Sequence, residues 1–125
     1  MKELIAIFFG SGLGGIARYV MGRFIEHERY GLFPAGTFFV NLLACLALGS
    51  IIGFASQKHV ISEPTKLFLT VGFCGGFSTF SSFSRETLSL IHQGQFTIAA
   101  IYVFGSILIC LAATFAGLYV GHHFS

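Results

Sequence analysis

Four runs of apolar sequence, each long enough to cross a bilayer as a helix, leave little of the chain for anything else. They extend from Leu4 to about Phe24, from Gly36 to Gln57, from Leu67 to His92 and from Phe96 to Gly121. A spanning helix needs about 20 predominantly apolar residues. The second and fourth runs carry no Lys, Arg, Asp or Glu, the first is interrupted by Arg18 and Arg23, and the third by Arg85 and Glu86. The connectors "EHERYGLFP", "KHVISEPTK" and "QGQ" are short and polar and hold the only two prolines, as turn chemistry predicts. Composition agrees: the 125 residues are 54% hydrophobic and 10% charged, against roughly 25% charged in an ordinary soluble domain. A soluble domain of this size exposes much of its surface and needs charge to cover it. The chain therefore reads as all-α, a single membrane domain over residues 1–125 with four transmembrane helices.

The opening "MKELIAIFFGSGLGGIA" has the lysine, apolar core and small residues of an export signal. Cutting it off would leave nothing soluble to export, so it is read as the first span. Cys45, Cys74 and Cys110 all fall inside apolar runs, where a thiol behaves as a small hydrophobe, and their spacing gives no disulfide framework or CxxC motif. His27, His59, His92, His122 and His123 lie at connectors or the tail, without the carboxylate support and spacing of a metal site. An enzyme is not expected, and no nucleic-acid partner is implied.

Orientation normally follows the Lys and Arg count of the short loops. With four spans, one side carries Lys2, Lys58 and Lys66, and the other Arg23 and Arg29, with Arg18 and Arg85 nearer to or inside the membrane. Three against two to four is no clear bias. Either the chain takes one orientation that counting does not resolve, or it inserts both ways and pairs head to tail. Glycines four apart, Gly10/Gly14, Gly49/Gly53, Gly72/Gly76 and Gly117/Gly121, permit close helix approach, within one subunit or between two.

Polar groups inside hydrocarbon face a protein interior or a water-filled path. In the second run these are Thr37, Asn41 and Ser50; in the fourth, Tyr102, Ser106, Cys110 and Thr114 recur every four residues on one slowly drifting helix face. Such hydroxyls either bond back to the preceding turn or line a wetted track. The chain has no Asp, and Glu86, beside Arg85, is the only acidic residue within a span. Hydroxyls and amides donate hydrogen bonds and aromatic rings are electropositive at their edges, a combination suited to a small, hard anion. The stretch "GFCGGFSTFSSFSRE", Gly72–Glu86, is a poor helix interior because each glycine costs about 1 kcal/mol relative to Ala. A break is expected at Gly75 and Gly76. Carbonyls freed there would need protein, water or a cation, and the phenylalanines beyond either pack or present their edges to an anion. Arg18 and Arg85 are candidates for an ion pair with Glu86 or for attracting an anion.

Three motifs then stand in order: "GSGLGGIARY" in the first run, "GTFFVN" in the second and "GFCGGFSTFSSFS" in the third. With them the chain resembles, over nearly its whole length, the Fluc (CrcB) family of bacterial fluoride channels. The resemblance implies a multi-pass protein of the bacterial inner membrane, assembled as an antiparallel, dual-topology homodimer with the third helix broken mid-membrane. It implies a passive, selective channel through which cytoplasmic fluoride leaves down its gradient, with two pores per dimer. Backbone carbonyls of Gly75 and Ser78 would hold a structural sodium ion on the two-fold axis. Phe80 and Phe83 would line the fluoride path, Asn41 its vestibule, and Tyr102, Ser106 and Thr114 its polar track, with Arg18 as supporting charge. Ser78 and Ser82 stand where the family often has Thr, Ala44 where it often has Gly, and Cys110 where the track is commonly polar. Two other readings are a small dual-topology exporter of cationic drugs, which would want an embedded carboxylate in its first span, and a non-conducting membrane scaffold, which would tolerate Phe80→Ile and Phe83→Ile.

Overall fold

The computed structural model describes residues 1–27, 31–58 and 61–124. Arg29 and His59, together with the side chains of His27 and Lys58, lie outside the described residues. The elements are α1 (Lys2–His27), α2 (Ala35–Lys58), α3 (Glu63–Leu67), a π-helical stretch (Phe68–Cys74), α4 (Gly75–Phe77), α5 (Phe80–His92) and α6 (Phe96–His123). Among the described residues, four helical segments are long and apolar enough to cross a membrane: Lys2–Glu26, Ala35–Ser56, Glu63–His92 and Phe96–His123.

The third segment begins ahead of its apolar run, at Glu63 rather than Leu67, because the connector carries its own start signal. Ser62 takes the extended N-cap conformation and accepts from Thr65 N, with Pro64 in the first turn. Proline there sacrifices no hydrogen bond, since the first-turn N–H groups have no helical partner. At the other end α5 closes with Gly94 at φ +75°. Gly94 N donates to the Ile91 carbonyl at 3.0 Å and Gln95 N to the Leu90 carbonyl at 2.8 Å, the paired bonds of a Schellman turn. Glycine is required at that position because a Cβ would clash in the left-handed conformation.

The break is displaced from its expected position. Gly75 and Gly76 are helical, and the chain leaves the helix at Ser78 (φ −77°, ψ 159°) and Thr79 (φ −150°, ψ 124°). Glycine serves close packing here instead. A Cβ on Gly76 would lie 3.0 Å from Ser11 Cα on α1. What stops the helix is polar: Thr79 N donates to Asn41 Oδ1 at 2.8 Å, Asn41 Nδ2 donates to the Thr79 carbonyl at 3.1 Å, and Thr79 Oγ1 caps α5 by accepting from Ser82 N at 3.2 Å.

Small residues also bring α2 onto α6. A Cβ on Gly117 would lie 2.8 Å from Ser50 N, and Gly49, Gly53 and Gly121 meet backbone of the facing helix in the same way. Gly10 and Gly72 likewise place α1 against the π-helical stretch. The glycine pairs thus pack helices within one subunit. Two apolar clusters fill the remaining interior. Val40, Ala44 and Phe77 enclose the α1–α2–α4 junction, and Leu90, Ala99 and Tyr102 pack with Phe33, Phe38 and Phe83. Much of the outer surface is apolar, with Phe8, Phe104 and Phe115 all exposed.

Candidate functional site

The break in the third segment places three polar or open regions around itself. The first is a cavity of about 270 Å³ lined by Asn41, Cys45, Ser78, Thr79, Phe80, Phe83, Ser106, Ile107 and Cys110. α5 supplies the rings, whose centroids are 5.6 Å apart at an interplanar angle of 40°. α6 supplies Ser106, which is 7% exposed, and its Oγ is a buried polar atom with no hydrogen-bond partner. An unmatched buried hydroxyl costs about 1–3 kcal/mol and is uncommon enough in native structures to mark a functional position. A buried hydroxyl and two phenylalanine rings thus border one space.

Of the residues expected on the ion path, Asn41, Phe80, Phe83 and Ser106 come together in this cavity. Both polar atoms of the Asn41 amide are engaged by Thr79, so the side chain holds the break as well as bordering the space. Tyr102 lies next to the cavity, its ring centroid 5.0 Å from that of Phe83. Its hydroxyl donates to Glu86 Oε2 at 2.8 Å. Thr114 is not among the lining residues; its hydroxyl bonds back to the Cys110 carbonyl at 3.0 Å.

The sequence left open whether Arg18 or Arg85 pairs with Glu86. No Arg–Glu86 ion pair occurs among the described residues; the carboxylate instead accepts from Thr37 Oγ1 at 2.7 Å and from Tyr102. Thr37 is 49 residues away in sequence, and no local pattern could have named it. The available signal was position: Glu86 falls one turn beyond Phe83 on the same helix, so the face that carries the ring also carries the carboxylate.

Around that carboxylate is a second, more polar cavity of about 200 Å³, bordered by Arg18, Arg23, Arg85, Glu26, Glu86, Thr37, Thr79 and Ser82. Three guanidinium groups against two carboxylates leave it net positive. Arg18 also braces the break, because its Nε donates to the Gly76 carbonyl at 3.0 Å.

The third region concerns the carbonyls of Gly75 and Ser78. In an uninterrupted helix each would accept from the N–H four residues later. Those donors, Thr79 N and Ser82 N, are directed to Asn41 Oδ1 and Thr79 Oγ1. Gly75 and Ser78 border a cavity of about 120 Å³ with Ala44, Cys45, Leu48, Thr70 and Cys74, and a Cβ on Gly75 would meet nothing closer than 3.8 Å. Open backbone carbonyls of this kind match the oxygen preference of a hard cation.

Comparison with known proteins identifies the family. Residues 5–118 match the family described as "CrcB-like protein, Camphor Resistance (CrcB)". The "Fluoride-specific ion channel FluC" of Bacteroides fragilis is 44% identical to the chain, covering 99% of each sequence. Proteins of the same name from Pyrococcus furiosus and Azobacteroides pseudotrichonymphae are 38% and 36% identical, each alignment covering 94% of both chains. Four apolar helical segments and full-length relatives that are ion channels make this a multi-pass membrane protein, and the chain belongs to the CrcB (Fluc) family.

Proposed function

We propose that the protein is a passive channel selective for fluoride, through which cytoplasmic fluoride leaves down its gradient. The observation that carries this reading is the unpartnered Ser106 hydroxyl, buried in one cavity with Phe80 and Phe83. Fluoride is small and strongly hydrated, so a path for it must replace water with donors. The Ser106 O–H supplies one, and ring edges supply weaker positive potential without offering a carbonyl or carboxylate that would repel the ion. The Arg-lined cavity next to the break raises the local anion concentration, as a positively lined cleft does. Thr37 and Tyr102 hold the Glu86 carboxylate from two sides, which keeps its charge in a fixed place. The names of the relatives point to the same ion.

The working unit in this reading is an antiparallel homodimer with two pores. Phe80 is 79% exposed in the single chain, so its cavity is open on one side and a second subunit would close it. The carbonyls of Gly75 and Ser78, left without their helical donors at residues that border one small cavity, would hold a structural sodium ion between the two chains. Bound there, it supplies fixed positive charge that holds the two broken helices together.

Two experiments test these parts separately. Phe80→Ile and Phe83→Ile each abolish most fluoride efflux from proteoliposomes if the ring edges carry the ion, whereas wild-type flux in both removes the rings from the path. A single cysteine at the N-terminus, placed in a background without Cys45, Cys74 and Cys110, cross-links to its copy in a parallel dimer but not in an antiparallel one, because four spans put both termini of each chain on one side and the two subunits' termini then lie on opposite faces of the bilayer; an N-to-N cross-link would therefore contradict the antiparallel assembly.

A further inference from the structure

The arginine-lined cavity beside the break is built for more than a single-atom ion. Its volume of about 200 Å³ is room for roughly six waters at about 30 Å³ each, or for one tetrahedral oxoanion with part of its hydration shell. Three guanidinium groups border it, Arg18 and Arg23 from α1 and Arg85 from α5. Two of them are engaged on one side. Arg18 Nε donates to the Gly76 carbonyl, and Arg23 Nη1 donates to the Tyr19 hydroxyl at 3.3 Å, with its guanidinium 5.8 Å from that ring's centroid. Arg85 makes no hydrogen bond or ion pair among the described residues, although it lies within a membrane-spanning segment. An arginine left unpaired in such a segment is costly and marks a place for a counter-ion. Its planar fork of N–H donors matches the paired oxygens of a phosphate, and a monatomic ion does not span it. The two carboxylates of the cavity are not equivalent. Glu86 accepts from Thr37 and, through its other oxygen, from Tyr102, which is not among the lining residues. Glu26 forms no ion pair with the arginines, so it is the carboxylate left to oppose an anion there.

We propose that Arg18, Arg23 and Arg85 hold a tetrahedral oxoanion of the phosphate class, either free phosphate or a phospholipid headgroup, and that its presence obstructs the entrance to the fluoride path. Thr79 borders both this cavity and the one that holds Phe80, Phe83 and Ser106, so the bound oxoanion stands where the two spaces adjoin. It fills the approach and neutralises the charge that draws fluoride in. The site itself stands on the three arginines; its effect on flux rests on the fluoride reading.

Two readouts on the full chain compare potassium phosphate with potassium chloride at equal ionic strength and fixed sodium. In maltoside detergent, phosphate raises the thermal midpoint and chloride does not, as mass action requires of a ligand of the folded state. In liposomes of galactolipid, which carries no phosphate, fluoride efflux falls toward the leak of empty liposomes as phosphate rises on both sides, and added fluoride restores it. Arg85→Gln raises the half-blocking phosphate concentration about 10-fold, as expected for one lost charge-assisted hydrogen bond, and Glu26→Gln lowers it. Lys66→Gln, the same charge change at the other end of the third segment, behaves as the parent. Phosphatidylglycerol liposomes separate the two sources: block by free phosphate in both lipids assigns the site to the soluble ion, and block in galactolipid alone, with efflux already low in phosphatidylglycerol, assigns it to the headgroup. An unmoved midpoint overturns the site, as does Arg85→Gln with the parent's sensitivity. A midpoint shift that Arg85→Gln abolishes, with undiminished efflux in phosphate, overturns the obstructing role alone. A protein that binds phosphate in this way but conducts no fluoride refutes the channel reading while leaving the oxoanion site in place.

Discussion

Ser106 is the residue at which stability and function separate. Its hydroxyl is buried without a partner, so Ser106→Ala removes an uncompensated polar group and raises stability by up to about 1 kcal/mol, while fluoride flux falls. Thermal unfolding in detergent and efflux from proteoliposomes, measured on the same preparation, read the two effects; equal losses in both would make Ser106 an ordinary packing residue. Glu86 behaves in the opposite way. Glu86→Gln leaves one acceptor oxygen where Thr37 and Tyr102 now donate to two, and the displaced donor costs about 1–3 kcal/mol. Thr37→Val in the Glu86→Gln background should recover part of that loss, because it removes one of the competing donors; no recovery would mean that Thr37 and Glu86 are not coupled. Ser106 was visible in the sequence through the four-residue recurrence on its helix. Thr37 with Glu86 was not, since a hydrogen bond between residues distant in sequence leaves no periodic trace.

At the scale of the element, the third segment is held in its broken form by side chains from other helices. Asn41→Ala removes both hydrogen bonds to Thr79, a loss of about 2 kcal/mol at about 1 kcal/mol per bond. Amide exchange at Thr79 to Ser82 should speed up in this variant, and unchanged exchange there would show that the break needs no splint. Glycine positions divide just as clearly. Gly76→Ala pushes a Cβ against Ser11 backbone and should destabilise by about 1–3 kcal/mol, whereas Gly12, with nothing within 4 Å, should tolerate Ala or gain up to about 1 kcal/mol of helix propensity. Thermal midpoints of the two variants check the pair; similar values would contradict the packing described here. A break in this segment was legible from "GFCGGFST" because glycines and hydroxyls crowd a span. Its position was not. Glycine both weakens a helix and permits close contact, and here contact with α1 won while the Asn41–Thr79 pair, formed across helices, chose the stopping point. The π-helical stretch Phe68–Cys74 has no counterpart in apolar periodicity, which does not distinguish a helix from its wider variant over seven residues.

For the molecule as a whole, the four apolar runs were the most legible feature, because bilayer thickness fixes their length and hydrocarbon excludes charge. The assembly was the least legible. A weak Lys and Arg bias is compatible with insertion in both directions, and glycine spacing does not tell contacts within a subunit from contacts between two; the structure assigns the glycines to the former. An exposed Phe80 beside an open cavity is the feature of the single chain that asks for a partner. The central claim is selectivity for fluoride, argued from a sparse set of donors and ring edges in a narrow space. The most direct measurement loads proteoliposomes containing the purified protein with sodium fluoride and sodium chloride and follows both anions after efflux is started by relieving the membrane potential. Rapid fluoride efflux with chloride retained near the leak of protein-free liposomes is the predicted result, and chloride efflux at a rate comparable to fluoride would contradict it.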